Sequence, residues 1–247
     1  MTLDATKPIY FIGIAGTGML PLAELAVGMG YKVFGSDVSP TSQLNDLQSK
    51  GAILYNDHQI GQIPNQSIVV YSSAIAENNI ELKEARERSS TVYHRSDFLN
   101  LLIDKKMPIT ISGTHGKTTT TALISHMLIN LGFDPTTYCG GTFCDTQKSS
   151  VLGSGSYFVA ELDESDGTFL KFKPYINVIT SIAADHLDYY HTLDSVALAF
   201  KKFIKNTDKS GIDIICWDDL ILREISVEST QRITYGKSLG CDLRLLS

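Results

Sequence analysis

Short apolar runs alternate along the chain with longer stretches in which apolar residues recur at helical spacing. The short runs predict buried strands at 9–12, 32–36, near 53, and at 68–71, 92–95, 109–112, 176–182, 212–216 and 232–235, with another beginning at Tyr157. The helical stretches predict helices at 19–29, 41–50, 78–88, 96–103, 192–206 and 219–225. Because strands that alternate with helices build parallel sheets, the pattern predicts an α/β fold.

A phosphate-binding turn is predicted in the middle of the chain, where a β-branched strand runs into Gly113, Gly116 and Lys117. Glycines let backbone N–H groups approach phosphate oxygens, the lysine adds a positive charge, and the N-terminus of the following helix favours an anion. Thr118 offers a hydroxyl group to Mg²⁺. The turn is shorter than the G-x-x-x-x-G-K-[ST] pattern, because Ile111 stands where that pattern has its first glycine. An ordinary strand-to-helix connection is the alternative.

Another glycine-rich turn, at 13–18, follows the first strand and has the spacing G-x-x-G-x-G. We call it the first glycine turn, and 113–119 the second glycine turn. Dinucleotide-binding enzymes carry G-x-G-x-x-G instead, with an acidic residue at the end of the next strand, where this chain has Asp37. Tight packing of a strand against a helix, without a ligand, is the alternative.

Three more polar residues follow strands of the same region. Ser72 and Ser73 stand at the carboxyl end of a strand, on the edge where open α/β sheets bind ligands, and Arg95 follows the next strand directly. The forked donors of a guanidinium group suit a diphosphate or a carboxylate. A turn cap for the serines and a surface position for the arginine are the alternatives.

Acidic residues and a histidine follow two later strands. Four carboxylates come after the strand that begins at Tyr157, and the strand at 176–182 leads to a second polar group: Glu161, Asp163, Glu164 and Asp166, then Asp185, His186 and Asp188. A strand end of this kind can hold the Mg²⁺ that bridges nucleotide phosphates, although acidic loops are often only solvated. We therefore expect the second glycine turn, the carboxylates and His186 to meet at one edge of a sheet.

Composition narrows the function. The 247 residues are 43% hydrophobic and carry a net charge of −6, which argues against a nucleic-acid surface. The four cysteines form neither C-x-x-C pairs nor a regular spacing with histidines, so they predict neither a zinc site nor a disulfide framework. No apolar run approaches the length of a membrane span and the N-terminus lacks a secretory signal, so we expect a cytoplasmic protein that binds no membrane.

The chain is long enough for two domains. Charged residues and a proline interrupt the apolar pattern at 104–108, and we therefore predict domains at 1–106 and 107–247. The helix after the second glycine turn carries Leu123, Met127 and Leu131 at helical spacing, together with Ile124 and Leu128, and we expect all five in the core.

These motifs, in this order and spacing, resemble the Mur ligase family nearly end to end. The resemblance is strongest to members that attach L-alanine to UDP-N-acetylmuramic acid. It rests on the two glycine turns, on the segments 36–37, 72–75, 161–166 and 185–188, and on Arg95. It implies a Rossmann-like domain that binds the UDP-sugar, followed by a P-loop ATPase-type central domain.

The resemblance implies an ATP-dependent ligase of peptidoglycan precursor synthesis. In that reaction the lactyl carboxylate of UDP-N-acetylmuramic acid would be phosphorylated to an acyl phosphate. The amino group of L-alanine would then attack the acyl phosphate, with no covalent enzyme nucleophile. Lys117 would stabilise the transferred phosphoryl group, Thr118 and Glu161 would hold Mg²⁺ (or Mn²⁺), and His186 would serve a second metal. ATP would contact Gly113, Thr114, His115, Gly116, Lys117, Thr118 and Thr119. The UDP-sugar would contact Gly16, Thr17, Gly18, Asp37, Ser72, Ser73 and Arg95.

The chain departs from the family in two respects. Ser181 and Ala183 stand where members commonly have asparagine and glutamate. Members also continue into the rest of the central domain and a third domain that binds the amino acid, so we expect this chain alone to be inactive in ligation. The alternatives are the related ligase that recycles a murein tripeptide, a non-catalytic nucleotide and UDP-sugar module, and a dinucleotide-dependent dehydrogenase.

Overall fold

The computed structural model describes residues 3–39, 41–88, 90–143, 148–229 and 231–246. It divides into two compact units, the first formed by Met1–Asp104 with Tyr138–Leu152 and the second by Lys105–Thr137 with Gly153–Ser247. The first break lies two residues before the predicted boundary. The segment Tyr138–Leu152, inside the second predicted domain, groups with the first unit instead.

A five-stranded parallel sheet forms the centre of the first unit, in the order β3-β2-β1-β4-β5. Its strands are β1 (Ile9–Ile12), β2 (Val33–Ser36), β3 (Ile53–Tyr55), β4 (Ile68–Tyr71) and β5 (Thr91–His94). Its helices are α1 (Leu20–Gly28), α2 (Leu44–Ser49), α3 (Ile80–Glu87) and α4 (Arg95–Ile103). All four residues of β1 are fully buried, as expected for a central strand covered by helices on both faces.

An eight-stranded sheet, most of whose strands lie in the second unit, has the order β13-β12-β11-β10-β6-β9-β7-β8. Its strands are β6 (Met107–Ser112), β7 (Thr136–Tyr138), β8 (Ser150–Val151), β9 (Tyr157–Glu161), β10 (Ile176–Ile179), β11 (Ile212–Cys216), β12 (Arg232–Gly236) and β13 (Leu243–Arg244). Its helices are α5 (Lys117–Asn130), α6 (Leu187–Tyr190), α7 (Leu193–Asn206) and α8 (Leu220–Ile225). A short 3₁₀ helix, Thr168–Lys171, follows β9.

Strand β6 pairs in parallel with both β9 and β10. The three carboxyl ends therefore lie at one edge of the sheet, where the second glycine turn and the acidic segment begin, and the place of His186 beside them stays a prediction. Strand β10 ends at Ile179, three residues before the predicted end. The residues that follow it are free to bond to the second glycine turn.

Helix α5 corrects the expectation of an apolar core stripe. Leu123, Met127 and Leu131 are 60%, 61% and 67% exposed, whereas Ile124 and Leu128 pack on the cluster of buried residues from β6, β9 and β10. The most buried side chains on the face of α5 that meets the sheet are small and polar, namely Thr121 and Ser125. The expectation was wrong because the most apolar stripe of this helix is not the one that meets the sheet.

The described residues contain no helix that is both long enough and apolar enough to cross a membrane.

Candidate functional site

The second glycine turn is shaped by two glycines at positive φ. Gly113 ends β6 at φ +123°, and a Cβ atom there would lie 2.3 Å from Thr180 Oγ1 and 2.9 Å from backbone atoms of Ser181. Gly116 precedes α5 at φ +81° with open space around it. The first position therefore requires glycine for space and conformation, and the second for conformation alone.

Hydrogen bonds join this turn to the segment that follows β10. Thr114 N donates to Ser181 O (2.9 Å) and Thr114 Oγ1 accepts from Ala183 N (2.9 Å). His115 N donates to Ser181 Oγ (3.1 Å), and His115 O accepts from Thr180 Oγ1 (2.6 Å). Ser181, one of the two departures from the family pattern, thus contributes a side-chain contact to the turn, and Ala183 contributes through its backbone.

Lys117 folds back over the turn. Its Nζ donates to Gly113 O (2.8 Å) and lies 2.9 and 3.1 Å from the two carboxylate oxygens of Glu164. Glu164 is 1% exposed. Burial raises the pKa of Glu164, and the Lys117 ammonium group opposes that rise. The cation at the start of α5 is therefore balanced by a buried anion from the acidic segment.

The structure separates the four predicted carboxylates by partner. Glu161, at the end of β9, accepts a hydrogen bond from Thr118 Oγ1 (2.8 Å). Asp163 and Asp166 instead accept from backbone N–H groups two residues ahead in their own loop. Thr118 and Glu161 together present hard oxygen atoms beside the second glycine turn, which is the donor type that Mg²⁺ prefers. Thr119 is exposed in the first turn of α5.

His186 lies seven residues after the end of β10, immediately before α6, at φ +53°. Its backbone N–H donates to Asp185 Oδ1 (2.8 Å), and its Nε2 is 3.9 Å from Asp185 Oδ2. Within the ranges that the structure describes, no three His, Cys, Asp or Glu side chains gather in a metal-binding cluster. Thr118 and Glu161 are in contact, and the inclusion of His186 with them stays a prediction.

A carboxylate stabilises the first glycine turn, in the first unit. Gly13 N and Ile14 N donate to Ser36 O, and Ala15 N donates to Asp37 Oδ2 (2.9 Å). The other oxygen of Asp37 accepts from Ser39 N (2.8 Å). Asp37 therefore acts on the shape of the turn, whatever it contributes to a ligand.

Arg95 lies against the end of the same turn. A Cβ atom at Gly18 would be 2.8 Å from Arg95 Nη1, and Gly18 O accepts from the hydroxyl of Tyr138 (3.0 Å). Ser72 and Ser73 follow β4, which is the neighbour of β1. Strand order reverses between β1 and β4, and open α/β sheets bind ligands at such a point.

The predicted substrate residues thus lie at the carboxyl edge of one sheet. They are exposed or partly exposed: Gly16, Thr17, Gly18, Asp37, Ser72, Ser73 and Arg95. The sequence reasoning missed three contributors to the two turns, namely Glu164 as the partner of Lys117, Ser181 as an acceptor, and Tyr138. Glu164 had a signal, since it lies in the acidic segment, but nothing in the sequence separates it from its three acidic neighbours.

Two family models match the chain. The model described as "Mur ligase family, catalytic domain" matches residues 8–107, and the model described as "Mur ligase middle domain" matches residues 111–244. They confirm the resemblance drawn from the motifs.

Individual proteins match over nearly the whole chain. A UDP-N-acetylmuramate--L-alanine ligase of Pelotomaculum thermopropionicum is 42% identical over 90% of this chain and 48% of its own length. The crystal structure of UDP-N-acetylmuramate-alanine ligase MurC from Thermotoga maritima matches with a TM-score of 0.83 and 30% identity, over 93% of this chain and 52% of that one.

A third match has a similar fold and a more distant sequence. The structure of UDP-N-acetylmuramate:L-alanyl-gamma-D-glutamyl-meso-diaminopimelate ligase from Neisseria meningitides has a TM-score of 0.84 at 21% identity, over 93% of this chain and 78% of that one. That match is a likeness of fold alone. The chain spans about half the length of the curated relatives it matches.

Proposed function

The chain belongs to the Mur ligase family, and we propose that its function is the ATP-dependent joining of L-alanine to the lactyl carboxylate of UDP-N-acetylmuramic acid. The observation that carries the proposal is the contact between Thr118 Oγ1 and Glu161 (2.8 Å), beside the ammonium group of Lys117. Nucleoside triphosphates and their metal are bound by such a set of groups beside a glycine turn: a hydroxyl group, a carboxylate and a lysine.

The proposed reaction has two steps. A lactyl carboxylate oxygen attacks the γ-phosphorus of ATP, so that the bond to the bridging oxygen breaks and ADP leaves. The amino nitrogen of L-alanine then attacks the acyl carbon, the amide bond forms, phosphate leaves and the nitrogen loses a proton. Neither step needs a covalent bond to the protein, so positioning and charge neutralisation carry the catalysis.

The second unit supplies the charge neutralisation. Lys117 would donate to phosphate oxygens and offset the negative charge that moves during phosphoryl transfer. Backbone N–H groups of the second glycine turn would bind the phosphates, and the bonds from the turn to Thr180, Ser181 and Ala183 keep those groups oriented.

Magnesium fits the donors at this site. Thr118 and Glu161 would hold Mg²⁺, or Mn²⁺, because both present hard oxygen atoms and are already in contact. The ion would neutralise phosphate charge when bound. His186 would contribute near the acyl phosphate, and its left-handed backbone, which costs free energy at a residue other than glycine, supports a functional role.

The first unit would bind the UDP-sugar. The first glycine turn lies at the switch point of a parallel sheet, and Arg95, against Gly18, suits a diphosphate through its forked donors. The spacing G-x-x-G-x-G of the first glycine turn speaks against a dinucleotide-dependent dehydrogenase, because those enzymes carry G-x-G-x-x-G.

The test is to measure binding of Mg-ATP and of UDP-N-acetylmuramic acid to this chain by calorimetry in two variants. Arg95→Ala should weaken UDP-sugar binding by about 1.5 to 3 kcal/mol, the loss expected for charge-assisted contacts, and leave Mg-ATP binding unchanged. Lys117→Met should weaken Mg-ATP binding by about the same amount and leave UDP-sugar binding unchanged.

The control ligands are NAD and UDP-N-acetylglucosamine, which lacks the lactyl group. Tight binding of NAD at the first unit, or equal loss of both ligands in both variants, would contradict the assignment. Binding of UDP-N-acetylglucosamine as tight as that of UDP-N-acetylmuramic acid would show that the lactyl carboxylate is not recognised by this chain.

A further inference from the structure

Lys117 is held by Glu164, a residue to which the family resemblance assigns no individual role. The ammonium group has three N–H donors. Gly113 O accepts one of them at 2.8 Å, and the two oxygens of Glu164, at 2.9 and 3.1 Å, share at least one more. The remaining acceptor, Thr114 O, is at 3.5 Å and holds its donor only weakly, so that donor can turn to a phosphate oxygen without breaking the contact to Glu164.

Glu164 is itself fixed in place. Its backbone carbonyl accepts from the hydroxyl of Tyr190 (2.6 Å) and from Gly167 N (3.0 Å). Its carboxylate is buried, whereas the other carboxylates of the acidic segment are partly exposed. Helix α6 thus anchors Glu164, and Glu164 anchors the end of a flexible four-carbon side chain that would otherwise sample many rotamers.

We infer that Glu164 is a positioning residue for Lys117, which holds the ammonium group over the second glycine turn in the orientation that a nucleotide phosphate meets. This inference rests on the proposed nucleotide site. It predicts a change in Mg-ATP affinity opposite to the change expected if Glu164 competed with phosphate for Lys117. If Glu164 positions the ammonium group, its neutralisation weakens Mg-ATP binding, whereas if it competes with phosphate for that group, neutralisation tightens binding.

The first measurement needs no nucleotide. An amine-acylating reagent is added to the folded chain, and the rate of Lys117 acylation is followed by mass spectrometry of its peptide. Acylation of Lys117 should be severalfold faster in Glu164→Gln than in the parent. Asp163→Asn is the matched control, because it removes a carboxylate of the same loop that bonds to the backbone of Ser165. An unchanged Lys117 rate in Glu164→Gln, or an equal increase in the control, overturns the inference.

The second measurement is the affinity for Mg-ATP in a double-mutant cycle with Lys117→Met. Glu164→Gln should weaken binding about tenfold in the parent background and have no such effect in the Lys117→Met background. Glu164→Asp, which keeps the charge, should recover part of the loss. Tighter binding in Glu164→Gln, or the same loss in both backgrounds, overturns the inference.

The two measurements separate failure of this inference from failure of the proposed function. A parent chain that binds no Mg-ATP refutes the nucleotide site, and the positioning role falls with it, even if acylation shows that Glu164 holds Lys117. A parent chain that binds Mg-ATP normally, with Glu164→Gln equal to the parent in affinity, refutes the positioning role alone. Thermal melting of each variant shows whether a change reflects loss of the fold.

Discussion

The two glycine turns each follow a central strand that pairs in parallel with both of its neighbours, yet they are stabilised in different ways. In the first, the carboxylate of Asp37 accepts directly from the backbone of the turn, at Ala15 N. In the second, the backbone bonds to the segment after β10, and the buried carboxylate of Glu164 pairs with the side chain of Lys117 instead. A negative charge therefore fixes the backbone of one turn and the cation of the other.

This difference bears on the ligands proposed for the two turns. A turn whose N–H group already donates to a carboxylate has less positive potential to offer an anion, so a diphosphate there needs another cation, which Arg95 can supply. In the second turn the carboxylate of Glu164 pairs with the lysine side chain, so the N-terminus of the following helix is available for phosphate. The position of the nearest carboxylate is therefore as useful as the glycine spacing for predicting which anion a glycine turn can bind.

The largest expected effect comes from Gly113→Ala. The added Cβ would lie 2.3 Å from Thr180 Oγ1 at a φ of +123°, so we expect a loss of about 3 kcal/mol or more in the free energy of unfolding of the second unit. Gly116→Ala, with open space around it, should cost about 1 to 2 kcal/mol. Urea unfolding followed by fluorescence of Trp217, the single tryptophan, measures both.

The matching substitution in the first turn is Gly13→Ala. Its Cβ would meet only the end of the Ile75 side chain, at 3.0 Å, which can move aside. Hydrogen exchange of peptides from 9–36 should therefore show a smaller loss than that caused by Gly113→Ala in its own unit. Equal losses in the two turns would mean that the close approach of Gly113 to Thr180 and Ser181 is not what restricts that position.

A smaller effect is expected from Asp37→Asn. The amide group keeps the shape of the carboxylate but removes its charge, so the bonds from Ala15 N and Ser39 N should weaken by about 1 kcal/mol in total. Faster hydrogen exchange of the Ala15 amide is the measurement, and Asp46→Asn, at an exposed pair with Lys50, is the control. No change at Ala15 would show that the turn keeps its shape without the charge.

The smallest effect concerns pH. Burial raises the pKa of Glu164 above its ordinary value of 4.5. Below pH 4.5 Glu164 is protonated in both the folded and the unfolded chain, and its contribution to stability is fully present. As pH rises from there towards the raised pKa of the folded state, the unfolded chain releases its proton first. The parent should therefore lose stability relative to Glu164→Gln. The difference between the two proteins is measured as the change in the free energy of unfolding with pH, followed by Trp217 fluorescence. A difference that does not change with pH, or one of opposite sign, would contradict the raised pKa.

The sequence predicted the fold and the edge of each sheet that carries polar residues, but not the pairing of side chains. Strands β1, β4 and β11 have the predicted bounds, and for β1 and β4 the reason is that each is a continuous apolar run followed by a glycine or a serine. Which carboxylate of the acidic segment meets Lys117 depends on the path of the loop after β9. That path is set by Tyr190, far along the chain, so local pattern cannot reveal it.

Helix α5 shows a second limit of pattern reading. Periodicity identifies stripes of apolar residues, and the stripe of Leu123, Met127 and Leu131 is the most apolar one of this helix. The buried positions are instead Thr121 and Ser125, on the neighbouring stripe. Close packing of a helix start on a sheet favours small side chains, so hydrophobicity alone selects the wrong face.

The chain passes between its two units three times, at 104, 137 and 152, and this connectivity bears on synthesis by the ribosome. Residues 1–104 are synthesised before the rest of the first unit. The hydrogen bonds that Glu24 of α1 accepts from Ser149 and Ser150 can form only after β6, α5 and β7 have been made. At roughly 5 to 20 residues per second, that delay lasts several seconds. During it the Glu24 carboxylate of the nascent first unit lacks the hydroxyl and N–H groups that the finished protein provides.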